Sequence, residues 1–209
     1  GLMNDHFEIA GRLSTLKSDG YIDRASSNLK SYFLQGTYVG KTTLVKALAF
    51  GGTEKTYQAW NGIDAVKLAE DRTFNPSGEF TDEFGNTRFY DNETDNYQQD
   101  HYQFLWNQRF SDQWKLETTA HYTKGKGYFE QYKVGQDLLD YGILSASATT
   151  DLVRRRWLDN QFFGSIFALK YKKEKIDVTL GGGWNQYDGN HFGEIIWTKD
   201  GNGLTKDEK

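Results

Sequence analysis

Apolar and polar side chains alternate with a period of two through seven stretches of the chain. The clearest lies around 102–110, where Tyr102, Phe104, Trp106 and Phe110 alternate with His101, Gln103, Asn107 and Arg109. Residues 114–122 set Trp114, Leu116, Thr118, Ala120 and Tyr122 against Lys115, Glu117, Thr119 and His121. Residues 176–184 set Ile176, Val178, Leu180 and Trp184 against Asp177 and Thr179. The same rhythm runs through 7–16 (Phe7, Ile9, Gly11, Leu13), 29–38 (Tyr32, Leu34, Gly36, Tyr38) and 157–171 (Phe163, Phe167, Leu169, Tyr171). It is less regular in 42–50, where Lys46 sits among apolar neighbours. Such alternation predicts strands with one apolar face. Short helical turns are predicted at 64–70 and 137–141, inside the connections.

The connections are unequal. Tiny turns at Val39-Gly40-Lys41, Ser111-Asp112-Gln113 and Lys172-Lys173-Glu174-Lys175 join strands in pairs. Long polar loops are predicted at 17–28, 51–96, 123–155 and from 185 onward. Short turns at one end and long loops at the other predict an all-β, antiparallel up-and-down meander of about seven strands, part of a transmembrane β-barrel. Aromatic residues gather at both strand ends: Tyr38, Phe110, Trp114 and Tyr171 near the short turns, Tyr122, Trp157 and Trp184 at the other side. Rings at both water boundaries are the girdles of such a barrel. The lipid-facing set is then Tyr102, Phe104, Trp106, Leu116, Ala120, Val178 and Leu180, with Arg109, Lys115, Glu117 and Asp177 facing the lumen.

Composition agrees with this picture. The 209 residues include one Pro, no Cys and 16% aromatics, and mean hydropathy is −0.77. Strands apolar on one face keep average hydropathy low, and no stretch approaches the roughly 18 apolar residues of a membrane helix. The absence of Cys excludes disulfides and thiolate chemistry. A net charge of −4 with no basic block gives nucleic-acid binding no support. Neither end reads as a natural domain boundary, so residues 1–209 are expected to be one partial barrel domain of a longer protein, without a plug domain.

Three stretches carry a family resemblance. The run Gly51-Gly52-Thr53-Glu54-Lys55-Thr56-Tyr57-Gln58-Ala59-Trp60-Asn61-Gly62 resembles the loop after an early barrel strand in TonB-dependent outer-membrane receptors of Bacteroidetes type. Lys17-Ser18-Asp19-Gly20-Tyr21-Ile22-Asp23-Arg24-Ala25 and Asp100-His101-Tyr102-Gln103-Phe104 resemble other parts of the same receptors. The resemblance implies a plugged barrel of about 22 strands in the bacterial cell outer membrane, of which this chain supplies seven. It implies import of a scarce nutrient, either a ferric siderophore, haem, cobalamin or a glycan. The energy comes through TonB, and the partners are outer-membrane lipid, the plug and the small-molecule cargo, such as a metal chelate. Two alternatives remain open from sequence: a soluble all-β carbohydrate-binding module, and a passive porin-type channel.

Candidate chemistry lies in loop aromatics. Tyr57, Trp60, Asn61, Phe89, Tyr90, Tyr128 and Tyr132 are the expected ligand-binding residues, because exposed rings flanked by Arg and Asn can stack on sugars or grip an iron chelate. Phe74, Phe84, Tyr97, Phe129 and Trp197 belong to the same wider set. The acidic run Asp82, Glu83, Asp91, Asn92, Glu93, Asp95, Asn96 and Asp100 could supply oxygen ligands for calcium, but it lacks the spacing of an EF-hand and reads better as solvated loop. His101 and His121 are expected on one inward face as lumen-polar residues, not metal ligands. Gly40-Lys41-Thr42 imitates the tail of a phosphate loop without its leading glycine, and reads as a hairpin turn with Gly40 at positive φ. No nucleophile–base pair stands at informative spacing, so no catalytic residue, cofactor or metal is expected. An open-edged fragment is expected to self-associate.

Overall fold

The structure, a computed structural model, describes residues 5–144 and 149–200. Seven long strands form one antiparallel sheet: β1 (Phe7–Ser18), β2 (Ser26–Val39), β3 (Thr43–Tyr57), β6 (Thr94–Arg109), β7 (Trp114–Asp137), β8 (Thr149–Lys173) and β9 (Ile176–Thr198). They lie in the order β1-β2-β3-β6-β7-β8-β9, so each pairs with its neighbour in sequence as a meander does. Between β3 and β6 the chain forms α1 (Ala65–Glu70) and a small hairpin of β4 (Glu79–Thr81) and β5 (Thr87–Phe89). A 3₁₀ turn, Leu138–Tyr141, follows β7. Both short helices fall where the sequence places them. Asp64 caps α1 by accepting from Lys67 N, and Asp137 caps the 3₁₀ turn by accepting from Leu139 N.

The long loops are where expectation and structure part. β3 runs on to Tyr57, β6 starts at Thr94, β7 continues to Asp137, β8 starts at Thr149 and β9 reaches Thr198. Much of 51–57, 94–101, 123–137, 149–156 and 185–198 is therefore strand. At about 3.3 Å per residue, the 24 residues of β7 span roughly 80 Å, far beyond the 9–11 residues a tilted strand needs to cross a bilayer. In these extensions polar residues stand on both faces among scattered rings and aliphatics such as Phe129, Leu152 and Val153, so the apolar alternation stops although the ladder does not.

Directly paired residues project from the same face of an antiparallel sheet. Phe7, Tyr38, Val45, Trp106, Thr118, Phe167 and Gly182 therefore form one row across all seven strands. Following that face gives a band without a single charge: alternate residues of 7–13, 32–38, 43–51, 102–106, 114–122, 163–171 and 176–184. All seven residues assigned to lipid lie on it. The opposite face carries Arg12, Gln35, Lys46, Gln103, Arg109, Lys115, Glu117, His121, Lys170 and Asp177. Its charges pair, as in Lys115 to Glu117 at 2.6 Å and Lys170 to Glu117 at 2.7 Å. The short turns also step down across the sheet. The row that closes the β2–β3 hairpin, Val39 with Leu44, reaches β8 at Ala168, and β8 continues five residues further to pair Lys173 with Ile176. Such stagger is what tilted barrel strands require.

The turns differ in detail from expectation. Gly40 is not among the described residues with positive φ; its turn closes by Gly40 N donating to Thr43 O at 2.7 Å. The left-handed position at this end is Glu174, with φ of 50°. Phe110 lies past the end of β6, in the turn closed on Trp114 O. Trp157 sits six residues above Phe163 along β8, too high for the upper ring row of Tyr102, Tyr122 and Phe163.

Candidate functional site

Beyond the band, the segment 58–93 packs on the extended strands. Tyr57 ends β3 only 5% exposed, and its hydroxyl meets Ser77 O at 3.0 Å and Tyr90 O at 2.8 Å. Asn75, 1% exposed, donates through Nδ2 to Asp23 O and Gln58 O, both at 3.0 Å, and accepts from Ser77 N. Arg24 donates to Asn75 O and lies flat on Phe89 at 3.7 Å. The short β1–β2 connection is thereby fastened to the long one.

The second fastening is Glu130 on β7, 2% exposed. Its carboxylate accepts from Tyr90 Oη at 2.6 Å, Asn92 Nδ2 at 2.5 Å and Arg155 Nε at 2.8 Å. Burial pushes this carboxyl up, but those three donors outweigh it and hold it below the usual glutamate range. Burial raises the Tyr90 phenol, and its bond to Glu130 raises it further. Tyr132, packed on Phe80 and Tyr90 and bonded to Asp151, is pushed up to about 12 by burial first and then by that bond.

The seven residues expected to bind ligand thus separate. Tyr57, Phe89, Tyr90 and Tyr132 join the loop to the face that carries the apolar band lower down. Asn61 donates to Ser77 Oγ at 3.3 Å within that loop. The Tyr128 ring packs on Trp157 at 4.6 Å beneath the Arg155 guanidinium, on the same face. Trp60 alone crosses to the other face, where it stacks on Phe129 at 5.0 Å.

That crossing marks a cleft of about 1160 Å³. Its wall is the polar face of β6–β9 above the band, with Asp95, Tyr97, Phe129, Arg154, Arg156, Leu158, His191 and Ile195, and its rim is Trp60 and residues 140–143. Arg156 lies over Phe129 at 5.4 Å. Arg154 donates to Gln131 Oε1 at 3.0 Å and Tyr141 Oη at 3.3 Å, while its Nε is buried without a partner. Burial raises the Asp95 carboxyl. The cleft therefore combines two guanidinium groups, three carboxyls (Asp95, Asp140 and Glu194) and stacked rings, an arrangement suited to a flat ligand with polar edges. Arg154, Arg156, Tyr141 and His191 lie outside the expected set. The signal for the arginines was their parity: Arg154 and Arg156 share the inward face with Leu158, while Arg155 between them turns to Glu130.

The acidic residues are used singly. Asp82 closes the β4–β5 turn, and backbone donation from Asn86, with help from Arg88 and Phe84, holds its carboxyl near 2. Asp100 accepts from Tyr32 and Gln98. Among the described residues no group of three or more His, Asp or Glu could hold a metal ion. His101 and His121 do share the polar face. His101 stacks on Phe50 at 4.7 Å and bonds Thr123, and His121 packs on Phe162.

Solved structures with the same arrangement include the ferric preacinetobactin receptor BauA from Acinetobacter baumannii, with a TM-score of 0.62, 11% identity and 92% of this chain covered. The ferric-catecholate import receptor Fiu from E. coli K12 matches in its closed form at 0.60, with 11% identity and 90% covered. Its open form matches at 0.58, with 12% identity and 90% covered. The sheet has the fold of a stretch of these proteins' β-barrel wall. At these identities the likeness is one of fold, and the chain spans 27%, 28% and 31% of the respective receptor chains. No protein-family model and no curated protein matches the sequence.

Proposed function

We propose that this chain is part of the wall of an outer-membrane TonB-dependent receptor, of the Bacteroidetes type suggested by its loop sequences, which imports a scarce nutrient. The observation that carries the reading is the charge-free band. It is nine residues tall on β7, β8 and β9, lies on one face only, and is continuous across seven strands. A water-soluble module has no use for such a face, and it would need a second sheet to cover it. The band meets lipid, the polar face meets the lumen and plug, and the strand extensions stand above the outer leaflet.

Among the nutrients open to such a receptor, the cleft favours a ferric chelate. Trp60, Tyr97 and Phe129 supply flat apolar surface, and Arg154 and Arg156 supply cationic donors among the carboxyls of Asp95, Asp140 and Glu194. BauA and Fiu, whose barrels share this fold, are ferric preacinetobactin and ferric-catecholate receptors by name. Taken alone, the chain leaves β1 and β9 as open edges, and we expect it to self-associate in detergent.

The test is growth of an iron-starved host lacking its own catecholate receptors and carrying the intact receptor. Ferric 2,3-dihydroxybenzoate should support growth with TonB and not without it. TonB-independent growth would point to a passive pore, and no growth on any ferric chelate would remove the cargo reading.

A further inference from the structure

Two glycines on the inward face of β7 lie directly beneath a tyrosine of β6. Tyr97 pairs with Gly127, and Gln99 pairs with Gly125. A Cβ on Gly125 would stand 2.0 Å from the Tyr97 hydroxyl and 2.9 Å from its Cζ. A Cβ on Gly127 would stand 2.7 Å from Tyr97 Cδ2 and 2.1 Å from Asn96 O. The phenol ring therefore lies flat along the β7 backbone from 127 to 125, in space that any other residue would fill. Glycine weakens a strand interior, and a glycine there marks a close approach by something else. Here two occur with one residue between them, and that residue, Lys126, turns to the other face to pair with Asp159 at 2.8 Å.

One face of the Tyr97 ring is covered by backbone, and the residue lines the cleft beside Phe129, Trp60 and Arg156. We propose that Gly125 and Gly127 form a socket that fixes Tyr97 as the flat platform on which cargo stacks, making Tyr97 a specificity-determining residue for planar ligands. The contact role rests on the import reading above; the socket does not. A ring on a free side chain would lose rotamer freedom on binding, whereas a ring already laid down binds without that loss.

The two substitutions differ in what they disturb. Gly127→Ala meets the β6 backbone and endangers the pairing itself. Gly125→Ala meets only the far end of a side chain, so it should leave the barrel folded while lifting Tyr97.

The experiment places 3-fluorotyrosine at position 97 of the intact receptor and follows its fluorine resonance. Wild type should show one broad, immobilised line, and Gly125→Ala should shift and sharpen it. Ferric 2,3-dihydroxybenzoate should move the wild-type line. Gly125→Ala and Tyr97→Ala should each bind this probe about tenfold more weakly, the value of one stacking contact. The double variant should be no weaker than Tyr97→Ala. An unmoved line in Gly125→Ala overturns the socket. A wild-type receptor that binds the probe without moving the line overturns the platform role. A wild-type receptor that does not bind it at all removes the import reading and the platform together, with the socket still decided by the first comparison.

Discussion

Replacing Glu130 with Ala should release the 58–93 segment from the strands without unfolding the sheet. Glu130 is 2% exposed and gathers three donors, from Tyr90, Asn92 and Arg155. Removing one member of a buried ion pair costs about 3 kcal/mol or more, because the partner is left desolvated and unpaired. Here the part-buried Arg155 guanidinium and Tyr90 phenol would both lose the carboxylate they share. If that cost falls on the local closed state, the open population rises about a hundredfold. Amide hydrogen exchange reads this directly. The Tyr90 amide, bonded to Gly78 O, and the Ser77 amide, bonded to Asn75 Oδ1, should exchange about a hundredfold faster, while β7 and β8 amides within 114–122 and 163–171 stay protected. Acidity supplies an internal control. A carboxyl held below its ordinary value stabilises fully at neutral pH and loses that contribution as pH falls through its folded-state value. As pH falls below the ordinary glutamate value, protection of the Tyr90 amide relative to an open chain at the same pH should weaken in the wild type and not in Glu130→Ala. Exchange within twofold of wild type in the variant at neutral pH, or an equal acid response in both proteins, would refute the fastening.

Asn75→Ala should loosen both upper connections together by about 3 kcal/mol, since it leaves the carbonyls of Asp23 and Gln58 and the Ser77 amide without partners; protease cleavage at Arg24 and Arg72 should rise in parallel. Phe104→Arg places a charge in the apolar band and should cost about 2–4 kcal/mol of folding into bilayers, whereas Gln103→Arg, one residue away on the polar face, should fold within about 1 kcal/mol of wild type in urea titrations from vesicles. Glu174→Gly should stabilise the β8–β9 hairpin by up to about 1 kcal/mol, because the residue sits at φ of 50°; a lower urea midpoint would contradict that conformation.

The strand segments within the charge-free band are legible in sequence because one face is apolar and the other polar. Residues 114–122 and 176–184 alternate, broken only by Thr118 and by Gly181-Gly182-Gly183, and pairing places their apolar members on one face as expected. Above the band that contrast is lost. Thr123, Lys124, Gly125 and Lys126 continue β7 with polar residues on both faces, so periodicity reads them as loop although cross-strand bonds continue. The site is legible in part for the same reason. Tyr57 and Trp60 stand three residues apart in one polar stretch and look equivalent. The first is the last residue of β3 and turns under the loop; the second lies past the strand end and reaches the opposite wall. Three successive arginines, 154–156, look like one basic patch, and the strand divides them between the cleft and Glu130. No local pattern reveals that Gly125-Lys126-Gly127 is a seat for Tyr97, since the two strands meet only through the register.

If the charge-free face meets lipid, apolar and water-soluble probes should divide along it. Nitroxide side chains placed singly along 114–122 and 176–184 of the intact receptor in bilayers test it most directly. Accessibility to dissolved oxygen should peak at the even-numbered positions on both strands, 116, 118 and 120 and then 178, 180 and 182. Accessibility to a water-soluble nickel chelate should be lowest at those same positions. Even-numbered positions as open to the nickel chelate as their odd-numbered neighbours would contradict the account.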